Sequence, residues 1–458
     1  MADPRPGVAN LTFYGGVGEI GGNKILVEDR DARIWLDMGA PFDLGEEYFV
    51  EFLQPRDRFG LRDYFALDLM RRIPGLYSSE ALDPTDMAWE PPAFSSIFIT
   101  HVHYDHTQQL RFVDPNIPVH LGEGARTILE SLDTTARAPF LKLGNHAYQT
   151  FRSGQTKTVD GLEVEPIHVD HSAPAAYGYL VHTSEGTIAY TGDLRHHGPK
   201  KALTDDFIRA AAAAKPVVLI TEGTRVTPDD PRGTLTEADV KADAIRLLTP
   251  LKEKLAIVTF PGRDVDRIRT FFEVAQAVGR KFVVNAKTAH LLLTLQKDTH
   301  IAVPDVTREA DLVLFDRLLR KTDPWEKDLQ TKLKDRVVTA ERIAARPSEY
   351  LVQLDFWHLP ELVDLRPPPG SPFIHSKSEP FEEDDVNDAV LQHWLDRFGL
   401  QRHQLHASGH LSEREVGDMI RAIDAKVVMP VHTQHADRFT QLARRVVQPI
   451  RFEAMALG

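Results

Sequence analysis

No cysteine occurs among the 458 residues. That excludes disulfides, thiol nucleophiles, iron–sulfur clusters and cysteine-ligated zinc together, so a metal site here has to be built from histidine and carboxylate. No apolar run approaches the roughly 18 residues that a membrane-spanning helix needs. The opening Met1-Ala2-Asp3-Pro4-Arg5-Pro6 has neither a basic nor an apolar segment, so no secretory signal is expected and the expected location is cytoplasmic. Positive charge is also scarce: 54 Lys and Arg stand against 67 Asp and Glu, a net charge of −13. Proteins that coat nucleic acid non-specifically do so by neutralising phosphates, and this balance disfavours that class while leaving room for a local basic groove.

What remains is an ordinary globular composition, 42% hydrophobic and 26% charged, with 20 histidines. Apolar runs of strand length alternate with amphipathic stretches, which predicts an α/β fold. Strands are predicted at 11–14, 24–28, 33–37, 96–100, 164–169, 177–182 and 187–191. From Lys215 onward the pattern becomes regular, strand then helix, as in a doubly wound α/β domain. That regularity ends at the Pro-rich Arg366–Pro372 and the acidic run Glu379–Asp385. The predicted organisation is therefore one domain in two parts, 1–222 and 387–458, with a second domain, 223–386, inserted between them. The mixed segment 46–92 reads as an inserted lid or partner surface.

The chemistry is concentrated in His101-Val102-His103-Tyr104-Asp105-His106. Alternation at a strand end aims His101 and His103 at one point, and Asp105 and His106 turn toward a second. Neutral imidazoles and carboxylates suit zinc and also manganese. His171, Asp193 and His432 each follow an apolar run, and ligands at the carboxyl ends of several strands converge on one edge of such a fold. A carboxylate such as Asp193 can bridge two cations. The glycine-rich Gly16–Gly21 fits a dinucleotide fingerprint, but a strand rather than a helix follows it, so a hairpin is expected. His196 and His197 read as solvated loop residues.

These motifs resemble those of the metallo-β-lactamase superfamily and, within it, the β-CASP nucleases of the ribonuclease J family. Asp37 in Trp35-Leu36-Asp37-Met38-Gly39, the His101–His106 cluster, His171 and Asp193 match the superfamily motifs in order. Glu222, His410 and His432 match the β-CASP motifs A, B and C. The resemblance implies a metallo-β-lactamase αββα sandwich with an inserted β-CASP domain. It implies two divalent cations, zinc or manganese, one held by His101, His103, His171 and Asp193, the other by Asp105, His106, Asp193 and His432. It further implies metal-dependent hydrolysis of a phosphodiester by an activated water, with His410 on the phosphate or the leaving oxygen. Asp37 and Glu222 would then orient ligands, and His406, Ser408, Ser412 and Arg263 would contact substrate.

Single-stranded RNA is the implied partner, with DNA left open, as are exonucleolytic and internal cutting. The family's further C-terminal domain, which helps it dimerise, is not expected here, since the sequence stops soon after motif C; a homodimer is left open. The rival expectations are a hydrolase of small esters, lactones or thioesters, and a non-catalytic subunit of a nuclease complex.

Overall fold

The computed structural model describes residues 8–50, 53–138, 141–228, 230, 235–318, 321–378 and 386–457. The opening segment 1–7 and the acidic run 379–385 lie outside the described residues. The chain divides into two compact units: Met1–His196, Lys200–Asp230 and Gly409–Gly458 form the first, and His197–Pro199 with Pro231–Ser408 the second.

The first unit is built on two sheets. One has seven strands in the spatial order Ala454–Ala456, Asn10–Gly15, Lys24–Asp29, Ala32–Leu36, Ser96–Phe98, Val119–Gly122, Tyr148–Phe151. Its first four strands pair antiparallel and the rest parallel. The other has six, in the order Val427–Val431, Val218–Glu222, Gly186–Tyr190, Ala176–Thr183, Leu162–Val169, Lys157–Val159. Aromatic side chains join them: the Tyr179 ring stands edge-on to Phe98 at 5.7 Å, and Phe151 meets Tyr177 at 5.0 Å. The buried Tyr179 hydroxyl finds its acceptor in the Ile99 carbonyl, so the polar end of the ring is satisfied within the core.

Helices cover this sandwich because their apolar stripes have nowhere else to go. Phe207 and Ala211 of helix Lys201–Ala214, and Val416, Met419, Ile420 and Ile423 of helix Glu413–Ile423, pack with Leu180, Leu219 and Val428 of the six-stranded sheet. Each of these larger side chains, Ala211 aside, contributes roughly 1.5–3 kcal/mol when fully buried. Helix Glu123–Thr135 packs on strands Val119–Gly122 and Tyr148–Phe151 of the other sheet. The layering is helix, sheet, sheet, helix. Gly16–Gly21 connects two antiparallel strands, the hairpin expected.

The second unit is a seven-stranded sheet in the order Val337–Thr339, Leu312–Asp316, Lys281–Val284, Tyr350–Gln353, Ala256–Thr259, Pro372–His375, Gln401–Gln404. Every pairing in it is parallel. Its inner strands are short, largely apolar runs, as suits strands covered on both faces, whereas the edge strand Gln401–Gln404 is polar and partly exposed. This unit extends to Ser408, beyond residue 386 where the sequence reading placed its end. The prolines of Arg366–Pro372 mark a turn into another strand, and helix Val386–Phe398 buries Leu391 and Leu395 in the same core.

Within this unit a fully buried Arg267 pairs with Glu237 at 2.8 Å and donates to the carbonyls of Ser376 and Ala407 at 2.9 and 3.0 Å. One guanidinium thereby ties the helix Val265–Ala277 to two distant loops. The segment 46–92 contributes no sheet strand among its described residues, only the short helices Arg62–Ala66 and Ser79–Leu82 and the 3-10 turn Asp57–Phe59.

Candidate metal centre

The site lies in the first unit, where strands run out. His101 follows Ser96–Phe98, His171 follows Leu162–Val169, Asp193 follows Gly186–Tyr190, and His432 follows Val427–Val431 directly. His103 is the N-cap of the short helix Tyr104–Thr107, which carries Asp105 and His106. Two residues here take left-handed backbone without being glycine, Asp37 at φ 61° and His432 at φ 55°. Such strain persists only where the surroundings over-determine it, as they do at functional sites.

Two sets of donors form. His101, His103, His171 and Asp193 bring one ligand atom each within 4.8 Å of one another, and so do Asp105, His106, Asp193 and His432. In the first set His103 Nδ1 is 3.0 Å from His101 Nε2 and 3.1 Å from His171 Nε2, while Asp193 Oδ2 is 3.6 Å from His101 Nε2. A tetrahedral ion with bonds of about 2.0–2.1 Å has ligand–ligand edges of about 3.4 Å. In the second set His432 Nε2 lies 2.8 Å from Asp105 Oδ2, and His106 Nε2 lies 3.2 Å from Asp193 Oδ2.

Two atoms test the fit. Asp193 Oδ1 is buried with no hydrogen-bond partner among the described residues, and His106 Nε2, despite its proximity to Asp193, makes no well-aligned hydrogen bond. Buried polar groups are normally satisfied, so a donor-rich pocket with orphaned lone pairs suits a cation. The donor set, imidazole and carboxylate without sulfur, fits divalent zinc or manganese.

The electrostatics agree. Burial, reinforced by the neighbouring His106, His171 and His103, holds His101 well below the ordinary imidazole range. Burial likewise lowers His171, with His103 adding to it. Both rings are therefore neutral, the form that ligates. Burial also works against charge on His432, but Asp193 and Asp105 outweigh it and raise His432 to about 9. His106 is raised in the same way by Asp193, Asp37 and Asp105. The carboxylate-rich half of the site thus favours positive charge, which a proton or a divalent cation can supply.

Behind the donors stand the groups that aim them. Asp37 Oδ2 accepts from His106 Nδ1 at 2.8 Å and from the Tyr190 hydroxyl at 2.7 Å, and its Oδ1 accepts from the Thr100 amide at 2.7 Å. With Nδ1 engaged, His106 turns Nε2 toward the centre. Glu222 accepts from Thr224 Oγ1 at 2.7 Å, and that hydroxyl accepts from His432 Nδ1 at 2.8 Å. Glu222 Oε1 also accepts from His410 Nδ1 at 3.1 Å. His171 Nδ1 donates to the Gly409 carbonyl at 2.7 Å, which links the donor set to the loop of His410. A side chain at Gly409 would crowd this contact, since its Cβ would fall 2.9 Å from Ser172 Oγ and 3.1 Å from the His171 ring.

The structure thus brings together all seven ligand-type residues named from the sequence, with Asp37, Glu222 and His410 around them. Ser412 is the N-cap of helix Glu413–Ile423, its hydroxyl donating to Glu415 Oε2 at 2.8 Å in a capping box. Its hydroxyl therefore serves the helix cap. His406, Ser408 and Arg263 belong to the second unit, where His406 Nδ1 lies 3.2 Å from the Ser376 carbonyl. His196 pairs with Asp205 at 2.7 Å. Sequence reasoning missed Thr100, Tyr190 and Thr224. Thr100 and Thr224 adjoin motif residues and were open to notice on that ground, whereas nothing in the sequence joins Tyr190 to Asp37.

Residues 73–259 match the Beta-lactamase superfamily domain. Ribonuclease J 1 of Streptococcus pyogenes is 21% identical over 444 residues, which cover 94% of this chain and 70% of that protein. Ribonuclease J of Helicobacter pylori (strain J99) is 23% identical over 460 residues, and the match spans 94% of this chain and 57% of that protein. Ribonuclease J of Pyrococcus abyssi is 22% identical over 436 residues, covering 91% and 88%. A crystal structure described as a protein of unknown function from Enterococcus faecalis V583 superposes with a TM-score of 0.77 at 22% identity, over 98% of this chain and 100% of that one. That likeness establishes the arrangement of the fold. No helix of the described residues is long and apolar enough to cross a membrane.

Proposed function

We propose that this protein is a metal-dependent ribonuclease of the β-CASP type that hydrolyses phosphodiesters of single-stranded RNA. The observation that carries the reading is the pair of four-residue donor sets sharing Asp193. The ribonuclease J relatives, similar over most of this chain, support RNA as the substrate class. His101, His103, His171 and Asp193 would hold one divalent cation, zinc or manganese, and Asp105, His106, Asp193 and His432 the other. Such ions supply Lewis acidity, lowering the pKa of a water nucleophile and neutralising charge that grows on phosphate oxygens.

The chain's own groups do the rest. Asp37 and Glu222 fix the rings of His106, His432 and His410, so the donors need no reorganisation when substrate arrives. His410, held through Nδ1 by Glu222 and 4.0 Å from Asp193 Oδ2, delivers a proton from its ring to the leaving oxygen as general acid. Ser408, His406 and Arg263 are read as contacts to the RNA backbone, which position without specifying sequence. The test incubates purified protein with 5′-labelled RNA and with DNA of the same sequence, each with and without chelator. Chelator-sensitive cleavage of RNA supports the reading, and mononucleotides or internal fragments on the gel report the mode of cutting. Cleavage that survives chelation, or turnover of small esters without any of RNA, overturns it.

A further inference from the structure

A cavity of about 550 Å³ lies in the first unit between the N-terminal strands and the 46–92 segment. None of the metal donors lines it. Its size falls within the usual range for small-ligand sites. Tyr14, Trp35, Tyr77 and Phe452 form an aromatic wall, with Tyr14 edge-on to Trp35 at 4.9 Å and to Phe452 at 5.6 Å. Four cations and two carboxylates, Glu19 and Asp68, also line it, on a chain whose net charge is −13.

The charges do not cancel pair by pair. Glu19 is taken up by Arg451 at 2.7 Å and by the Gly16 amide at 2.8 Å. Arg72 pairs with Asp86 at 2.5 Å. Asp68 sits exposed on the rim. Lys24 and Arg71 are left without an ion-pair partner among the described residues: Lys24 Nζ donates to the Gly39 carbonyl at 2.9 Å, and Arg71 lies over the Phe452 ring at 4.0 Å. Burial, only partly offset by Glu19 and reinforced by Arg451, lowers Lys24 to about 8. Trp35, fully buried behind Tyr14, has an indole N–H that meets no acceptor among the described residues. Phe452 is held in left-handed backbone at φ 69°, strain of the kind that collects at binding sites.

We propose that this cavity binds a nucleoside monophosphate, its phosphate held by Lys24 and Arg71 and its base set against the aromatic wall. Excess donors call for an anion, and the rings call for a planar group attached to it. The 46–92 segment supplies Arg71 and closes one side of the cavity, so binding a small molecule becomes its role. This inference does not rest on the nuclease reading, because the site shares no residue with the metal centre.

Titration calorimetry on the full chain, stripped of metal by chelator, tests it with adenosine 5′-monophosphate, inorganic phosphate and adenosine as probes. The nucleotide is expected to bind at least tenfold more tightly than phosphate alone, and adenosine not to bind. Lys24→Met and Arg71→Met should each weaken the nucleotide at least tenfold. Arg71 is exposed, so its variant keeps the test valid if Lys24→Met fails to fold. No heat with the wild-type chain, equal affinity for nucleotide and adenosine or phosphate, or unchanged binding by Arg71→Met overturns the proposal. Binding that requires added metal would put the nucleotide at the metal centre instead and overturns it too.

Discussion

Glu222 Oε1 accepts from His410 Nδ1 at 3.1 Å, and both belong to motifs nearly two hundred residues apart in the chain. The same carboxylate reaches His432 through Thr224 Oγ1. One buried acid therefore sets the rotation of a metal donor and of the proposed general acid.

Glu222→Gln removes the charge and turns one oxygen into a donor, which misorients one of these rings. Losses of about 10–100-fold are usual when such a supporting contact to a ligand is removed. Cleavage of RNA should fall by that order, with the fold unchanged by circular dichroism. A wild-type rate in this variant would remove Glu222 from the site's function.

Ser412 and Ser408 separate by their roles. Ser412→Ala loses a helix cap, and a cap is worth about 1 kcal/mol, so urea denaturation should show a loss of that size. Ser408→Ala should leave stability nearly unchanged and reduce any preference for RNA with a 5′-monophosphate over a 5′-triphosphate. The two variants behaving alike in both measurements would contradict the assignment of Ser412 to the cap.

His120 gives the fold an acid-sensitive point. Its ring is stacked on Phe98 at 4.5 Å, and burial, with Lys157 adding, lowers it to about 4. In the unfolded chain it titrates near 6.5. Above pH 6.5 the ring is neutral in both states and costs nothing. Between 6.5 and 4 the unfolded chain binds a proton that the folded chain refuses, so stability falls as pH falls, by up to about 3 kcal/mol for this group. Below 4 the penalty is constant. His120→Leu should flatten the decline of Tm between pH 6.5 and 4; an unchanged slope would mean the ring is already protonated in the fold.

Much of this was legible in the sequence because its signals are local. The cluster from His101 to His106, and strands ending at His171, Asp193 and His432, predicted a shared edge by spacing alone, and the sheets place them on it. The alternation of strand and helix foretold an α/β fold with a doubly wound insert, and the resemblance of the motifs implied the sandwich. The end of the inserted unit was misread because proline and glycine mark a turn without saying whether the chain turns back into the same sheet. The cap role of Ser412 went unseen because a hydroxyl before Glu413 and Glu415 serves a helix cap and a phosphate equally well in sequence. Tyr190 was invisible because its hydroxyl finds Asp37 only through packing between strands far apart in the chain.

Asp193 is shared by the two donor sets, and metal content tests most directly whether each set holds a cation. Elemental analysis of the purified chain, after loading with zinc or manganese and removal of excess, should give about two ions per chain for the wild type. Asp193→Asn offers an amide in place of the shared carboxylate and should retain at most one ion while losing nearly all RNA cleavage. An Asp193→Asn chain that keeps two ions and the wild-type rate would contradict the account.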